Sequence, residues 1–196
     1  MILQKECNVG RGFMKFIKYF FIVIGVILLT LVAIGIFKTD YQSKASVEIE
    51  APQKQVFAVY NNPLLYERWM TNFQSIEQLE GQINEINSKH RLKFTTGSGE
   101  ITTLEQTLTE YQPSELIRYH YDNQWLKGTS TATFESTGDG STTINLTLEY
   151  TGQGIVQNAL LFLLSSTIDQ GHQHNLEQLK ALIEESKPEG LEYSMK

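Results

Sequence analysis

Thr143-Ile144-Asn145-Leu146-Thr147-Leu148-Glu149-Tyr150 is the stretch on which the fold turns. Ile144, Leu146, Leu148 and Tyr150 fall on one side and Asn145, Thr147 and Glu149 on the other, the period-two pattern of a strand with one dry and one wet face. Upstream, Gly138-Asp139-Gly140 supplies a turn and joins it to a strand near Gly128 to Glu135. Further back, strand-like runs lie at Leu116 to Tyr121, Glu100 to Glu110, His90 to Thr95 and around Ser75 to Ile86. Gln112-Pro113-Ser114 and Gly97-Ser98-Gly99 punctuate them. An antiparallel sheet follows from this order.

Two flanks complete the domain. On the N-terminal side, Ser46-Val47-Glu48-Ile49-Glu50 alternates as a first strand and Ala51-Pro52 breaks it. Proline is tolerated in a first helical turn, so residues 52–60 read as a short helix burying Val56, Phe57 and Tyr60. Asn61-Asn62-Pro63 stops that helix, and a second short one runs through Leu64 to Met70. On the C-terminal side, the chain turns helical after Gly152 and Gly154 and stays so to about Ser186. Its first part, Ile155 to Leu164, is almost wholly apolar. From Ile168 onward it is amphipathic, with Leu176, Leu179 and Ile183 set against Glu177, Lys180 and Glu184. The expected class is α+β, an antiparallel sheet of about seven strands whose concave side is closed by a long C-terminal helix.

Before this domain lies a different kind of sequence. From Tyr19 to Phe37 no residue is charged, and nineteen helical residues span about 28 Å, which matches a bilayer's hydrocarbon core. A cleavable signal peptide has a shorter apolar stretch, and no small-x-small site follows closely; Ser43-Lys44-Ala45 is too far along. The expected organisation is a short basic segment at 1–18, a transmembrane helix at 19–37, one soluble domain at 41–188 and a polar tail at 189–196. Met14-Lys15-Phe16-Ile17-Lys18 would itself begin such an anchor, so a start at Met1 or at Met14 stays open.

Charge separates the two parts. Of a formal net charge of -6, the first 37 residues contribute +3, from Lys5, Arg11, Lys15 and Lys18 against Glu6, and the remainder contributes -9. Basic residues stay cytoplasmic, which places the N-terminus inside and the domain on the non-cytoplasmic side. An acidic domain with scattered lysines lacks the footprint of a nucleic-acid binder. The lone Cys7 precludes a disulfide framework and a cysteine-based zinc site.

The opening strand, Ala51-Pro52 followed by Val56-Phe57, Pro63 with Tyr66 and Trp69, and Asn175-Leu176-Glu177-Gln178-Leu179-Lys180 together resemble the START-like superfamily, also called SRPBCC. The likeness is to its bacterial polyketide cyclase/dehydrase and lipid-transport branch, with the helix-grip fold shared with the birch-pollen allergen. It covers about residues 44 to 185 and identifies a fold better than an activity. It implies an elongated apolar cavity between sheet and helix for a lipid, sterol, polyketide or other hydrophobic small molecule. Alternation and the family layout together put Trp69, Tyr119, Tyr121, Phe134, Leu146, Leu148, Tyr150, Phe162 and Ile168 along it. Ligand contact and ordinary core packing are both open at these positions.

Chemistry-bearing motifs are sparse. No nucleophile motif, phosphate loop or paired-carboxylate spacing stands out, so no catalytic residue, metal site or cofactor is expected. Asp169, His172 and His174 read as a polar surface patch, because His174 points about 200° from His172. Arg118 and His120 alternate with Ile117, Tyr119 and Tyr121; the tyrosines have the better claim to the inside, and only a bulge reversing the register would send Arg118 and His120 there. The leading function is a membrane-anchored binding module with residues 155–164 as a lid or membrane-facing gate, core packing being the other reading of that segment. A cyclase or dehydrase using the same cavity and a co-chaperone-like interaction domain are the alternatives.

Overall fold

The computed structural model describes the backbone of residues 3–138 and 140–185, with side chains from residue 14 onward. The expected polar tail at 189–196 lies outside the described residues, as do the side chains of the charged positions before Met14. Helix α1 (Leu3–Phe37) contains a 24-residue stretch, Met14–Phe37, whose most apolar 18 residues have mean hydropathy 3.1, long and apolar enough to cross a membrane.

Only Lys38 and Thr39 separate α1 from strand β1 (Asp40–Ile49). That strand is longer than the alternation at Ser46–Glu50 indicates, because Tyr41, Ser43 and Ala45 continue the buried face through small and amphipathic side chains. Helix α2 (Gln53–Tyr60) follows, with Pro52 as its N-cap and Val56 and Phe57 buried. The second expected helix divides into a 3₁₀ turn at Pro63–Leu65, where the Asn62 side chain accepts from the Leu64 N–H, and a single-turn helix α3 (Tyr66–Trp69). Asn72, at φ 61°, then reverses the chain.

Six strands follow: β2 (Phe73–Glu80), β3 (Lys89–Thr95), β4 (Ile101–Gln112), β5 (Leu116–Asp122), β6 (Leu126–Ser136) and β7 (Thr142–Gly152). The strand expected around Ser75 to Ile86 is cut short at Glu80, because Gly81, Asn84 and Asn87 all take positive φ and build a turn. The seven strands form one antiparallel sheet in the order β1-β7-β6-β5-β4-β3-β2. The chain thus closes β1 against β7 in unbroken register from Asp40 opposite Thr151 to Ile49 opposite Thr142.

Helix α4 (Ile155–Glu185) is 31 residues long, about 46 Å at 1.5 Å per residue. It lies chiefly on β1. Leu176, Leu179 and Ile183 are buried on that seam, as their spacing predicts. Polar contacts fix its position: Lys180 Nζ donates to the Glu48 carbonyl at 2.7 Å, and Asn175 Oδ1 accepts from both the Thr71 N–H and its hydroxyl. A sheet on one side of a long C-terminal helix is the helix-grip α+β arrangement. Its main core joins Ile49, Phe57, Trp69, Ile144, Leu176 and Ile183 at the end where α4 finishes.

Candidate ligand-binding face

Strand register decides which side chains face α4. Opposed pairs carry Tyr119 against Ser130, Ala132 against Leu146 and Phe134 against Ile144, and all of these share the helix-facing side with Leu108 and Leu92. Arg118 and His120 therefore point outward. The bulge in this region falls in β4 between Leu108 and Glu110, so the β5 register is not reversed. Arg118 instead pairs with Glu110 and donates from Nε to Thr131 Oγ1 at 3.1 Å.

The sequence-predicted lining residues divide into three groups. Trp69, Phe134 and Leu146 are buried in the main core, with Tyr119 and Leu148 half-buried against it. Tyr121 and Tyr150 belong to a second cluster with Tyr41 and Leu161, at the end of the sheet where α1 enters, and Ile168 packs on it. Phe162 stands apart at 41% exposure. Its neighbours Ile155, Val156, Leu160, Leu163 and Leu164 are exposed as well, so in this half of α4 burial is confined to Asn158 and Leu161.

Polar atoms recur among these apolar residues. Trp69 Nε1, His90 Nδ1, Tyr150 Oη, Asp169 Oδ1, Ser43 Oγ and Ser88 Oγ are all buried without a protein hydrogen-bond partner. A buried donor or acceptor left unpaired costs about 1–3 kcal/mol, so such a set calls for ordered water, for an occupant with its own polar groups or for a functional reason. The tyrosines show the same environment through their acidities. Burial raises the Tyr60, Tyr66 and Tyr121 phenols well above 10, and it raises Tyr119 to about 12, with Tyr111 adding to the effect. These hydroxyls stay protonated donors at any ordinary pH.

Asp169 and His172 correct the sequence reading. They were expected on a polar surface patch, yet both are half-buried on the side of α4 that meets Tyr150. The Tyr150 phenol is raised first by burial, then by the Asp169 carboxylate and by Tyr41. Burial lowers the His172 pKa, and the opposing pull of Asp169 does not reverse that. His174 is exposed and hydrogen-bonds Gln178 at 2.9 Å, a surface residue as read from the helix geometry. Burial also holds down His90, which the sequence reading left out of the site. Its signal was available, because His90 alternates with Leu92 and Phe94 on the dry face of β3.

What this face can do chemically is bind an apolar body while offering a few donors (phenols, an indole N–H, neutral imidazoles) and one carboxylate. Among the described residues no three His, Cys, Asp or Glu side chains gather as metal ligands. A separate groove of about 630 Å³ opens on the outer face, lined by Asp40, Gln42, His120, Lys127, Glu149 and Thr151 among others. Tyr41, Gly128 and Tyr150 line it as well, so it adjoins the second aromatic cluster.

Known proteins share this architecture. The chain is similar to the structure of TTHA0849 from Thermus thermophilus, at 16% identity over 76% of this chain and 100% of that one, with a TM-score of 0.63. It is similar to the Zhui aromatase/cyclase from Streptomyces, at 16% identity over 74% and 94%, TM-score 0.63. It is also similar to ginseng major latex-like protein 151 from Panax ginseng, at 11% identity over 69% and 98%, TM-score 0.52. At these identities the likeness is one of fold. No curated protein matches the chain. Residues 41–184 match the family described as polyketide cyclase / dehydrase and lipid transport, a span from β1 through the buried seam of α4, and the chain belongs to that family.

Proposed function

We propose that this chain is a single-pass membrane protein whose helix-grip domain binds a hydrophobic or amphipathic small molecule against the helix-facing side of the sheet. The observation that carries the reading is the row of buried, unpartnered polar atoms set in apolar surroundings, Trp69 Nε1, His90 Nδ1, Tyr150 Oη and Asp169 Oδ1. An apolar ligand with one or two hydroxyl or carbonyl groups would satisfy them. Family membership supports the same class of ligand. The apolar stretch Met14–Phe37, joined to the domain by two residues, supports a site beside the bilayer, where such molecules dissolve. The basic residues before the span support a domain on the non-cytoplasmic side.

Native mass spectrometry of the full chain released from lipid nanodiscs, followed by denaturing extraction, tests this. A hydrophobic molecule held at one per chain, and lost in Tyr150→Phe/Asp169→Asn, is the expected result. An empty, folded wild-type chain overturns it.

A second reading, a cyclase- or dehydrase-type reaction on the same face, is favoured by one observation. Burial lowers the His172 pKa and favours the neutral ring beside Asp169, and a general base must be unprotonated to act. Turnover of a polyketide-like carbonyl substrate that His172→Gln abolishes without loss of binding would establish it.

A further inference from the structure

Six residues in the first half of α4, Ile155, Val156, Leu160, Phe162, Leu163 and Leu164, are between 41% and 66% exposed. At 100° per residue they cover about 200° of the helix circumference, a far wider arc than a core-facing stripe requires on its opposite side. No charged residue lies between Ile155 and Leu164, and the sequence turns polar at Ser165-Ser166-Thr167. The apolar band is therefore ten residues, about 15 Å, along the axis.

This band is continuous with α1. Gly35 is buried where the two helices meet, and a Cβ there would collide with the Ile155 carbonyl. Asn158 Nδ2 donates to the Gly35 carbonyl at 3.3 Å, and the Tyr41 hydroxyl donates to the Asn158 carbonyl at 2.6 Å. The α4 band thus begins against the last turns of the apolar span. The strand directions bring two more exposed apolar residues to that same end of the sheet: Trp125 in the β5–β6 turn, at 52% exposure, and Ile101 at the start of β4, at 66%. The Gln153 N–H donates to the Trp125 carbonyl, fixing the turn beside the start of α4. Tryptophan is favoured at the membrane–water interface, where its ring lies apolar side in and its N–H out.

We infer that the first half of α4, with Trp125 and Ile101, is a lipid-contacting surface that seats the domain in the interfacial layer of the bilayer crossed by α1. The inference rests on α1 spanning the membrane. It assigns the occupant of the exposed apolar face as phospholipid, and it places the Tyr41–Tyr121–Tyr150 end of the candidate site next to the acyl chains.

The experiment uses the full chain in phosphatidylcholine vesicles. Trp125 and Trp69 are the two tryptophans, and Trp69 is in the core at 3% exposure. Phosphatidylcholine brominated near the headgroup should quench the wild type substantially and Trp125→Phe very little. In parallel, Leu163→Cys and Ala181→Cys, each with Cys7→Ser, are labelled with a membrane-impermeant maleimide. Residue 163 should react at least tenfold more slowly than residue 181, the two becoming equal after unfolding. Equal rates in the folded protein overturn the inference. So does protection of residue 163 without lipid quenching of Trp125, which would mean that a second copy or another protein covers the face. Alkaline carbonate extraction separates this from the anchoring reading: retention in the membrane with equal labelling sinks the docking alone, whereas release from the membrane sinks both.

Discussion

His90 and His172 each occupy a position where burial opposes charge, His90 on the dry face of β3 and His172 on the sheet-facing side of α4. Both have pKa values depressed below the ordinary 6.5, so in the window beneath 6.5 the unfolded chain binds protons that the folded chain refuses. The stability they leave intact is fully present above about pH 6.5 and is lost as pH falls through the depressed values. The expected outcome is a drop in the urea midpoint of the full chain in detergent between pH 7.5 and 5.5. His90→Gln/His172→Gln should flatten that drop, and a double variant with an unchanged pH profile would remove the account. Asp169 enters the same argument, because it pulls the His172 pKa up against burial. Replacing it by Asn should lower the folded-state His172 pKa further, so the loss that begins below about pH 6.5 continues to lower pH and becomes larger.

At the scale of elements, the sheet was legible and its bends were not. Alternation in Thr143–Tyr150 placed β7 and its buried face, and heptad-like spacing placed Leu176, Leu179 and Ile183 on the seam of α4. Alternation failed on β1, where Ser43 and Ala45 carry the inner face without hydrophobic bulk, and on β2, where Gly81 ends the strand before Ile83 and Ile86. A close approach falls at Gly128, opposite Tyr150 on the helix-facing side. A Cβ there would lie 2.8 Å from Tyr150 Cβ and collide with the Glu149 carbonyl, so β6 and β7 approach one another closely only because Gly128 has no side chain. The obstruction is backbone, which cannot give way without opening β6–β7 pairing. Gly128→Val should therefore cost about 1–3 kcal/mol, the range for an overpacked interior, and lower Tm by several degrees. A wild-type midpoint by circular dichroism would show that the strands have room.

For the whole molecule, the sequence distinguishes an apolar N-terminal helix from the strand-rich region after it but gives no sign that the helix touches α4. Gly35 reads as one more small residue in an apolar run, and Asn158 as one of two adjacent polar residues, with Gln157, in an apolar half-helix. Their contact is visible only once β1 is seen to start two residues after α1, which holds the helix end beside α4. The candidate site was legible in the same partial way. Strand parity found Tyr119, Tyr121 and Tyr150, whereas the facing of Asp169 and His172 depends on how α4 rotates on β1, which helical spacing alone does not set. The short junction also makes a mechanical claim. A helix tied by two residues to β1, on which α4 lies, meets α4 at high effective concentration, and a long flexible linker dilutes that contact. Inserting ten Gly and Ser residues between Lys38 and Thr39 should leave the domain folded and loosen the α1–α4 contact. Hydrogen exchange in nanodiscs should then rise on the order of tenfold across the first turns of α4, near Asn158 and Leu161, which is about 1.4 kcal/mol of local opening. Amides around Leu176 to Ile183, held by β1 and by the Asn175–Thr71 bonds, should keep wild-type protection. A uniform change along α4, or none, would mean that the junction does not hold the two helices together and that α4 is fixed by the sheet alone.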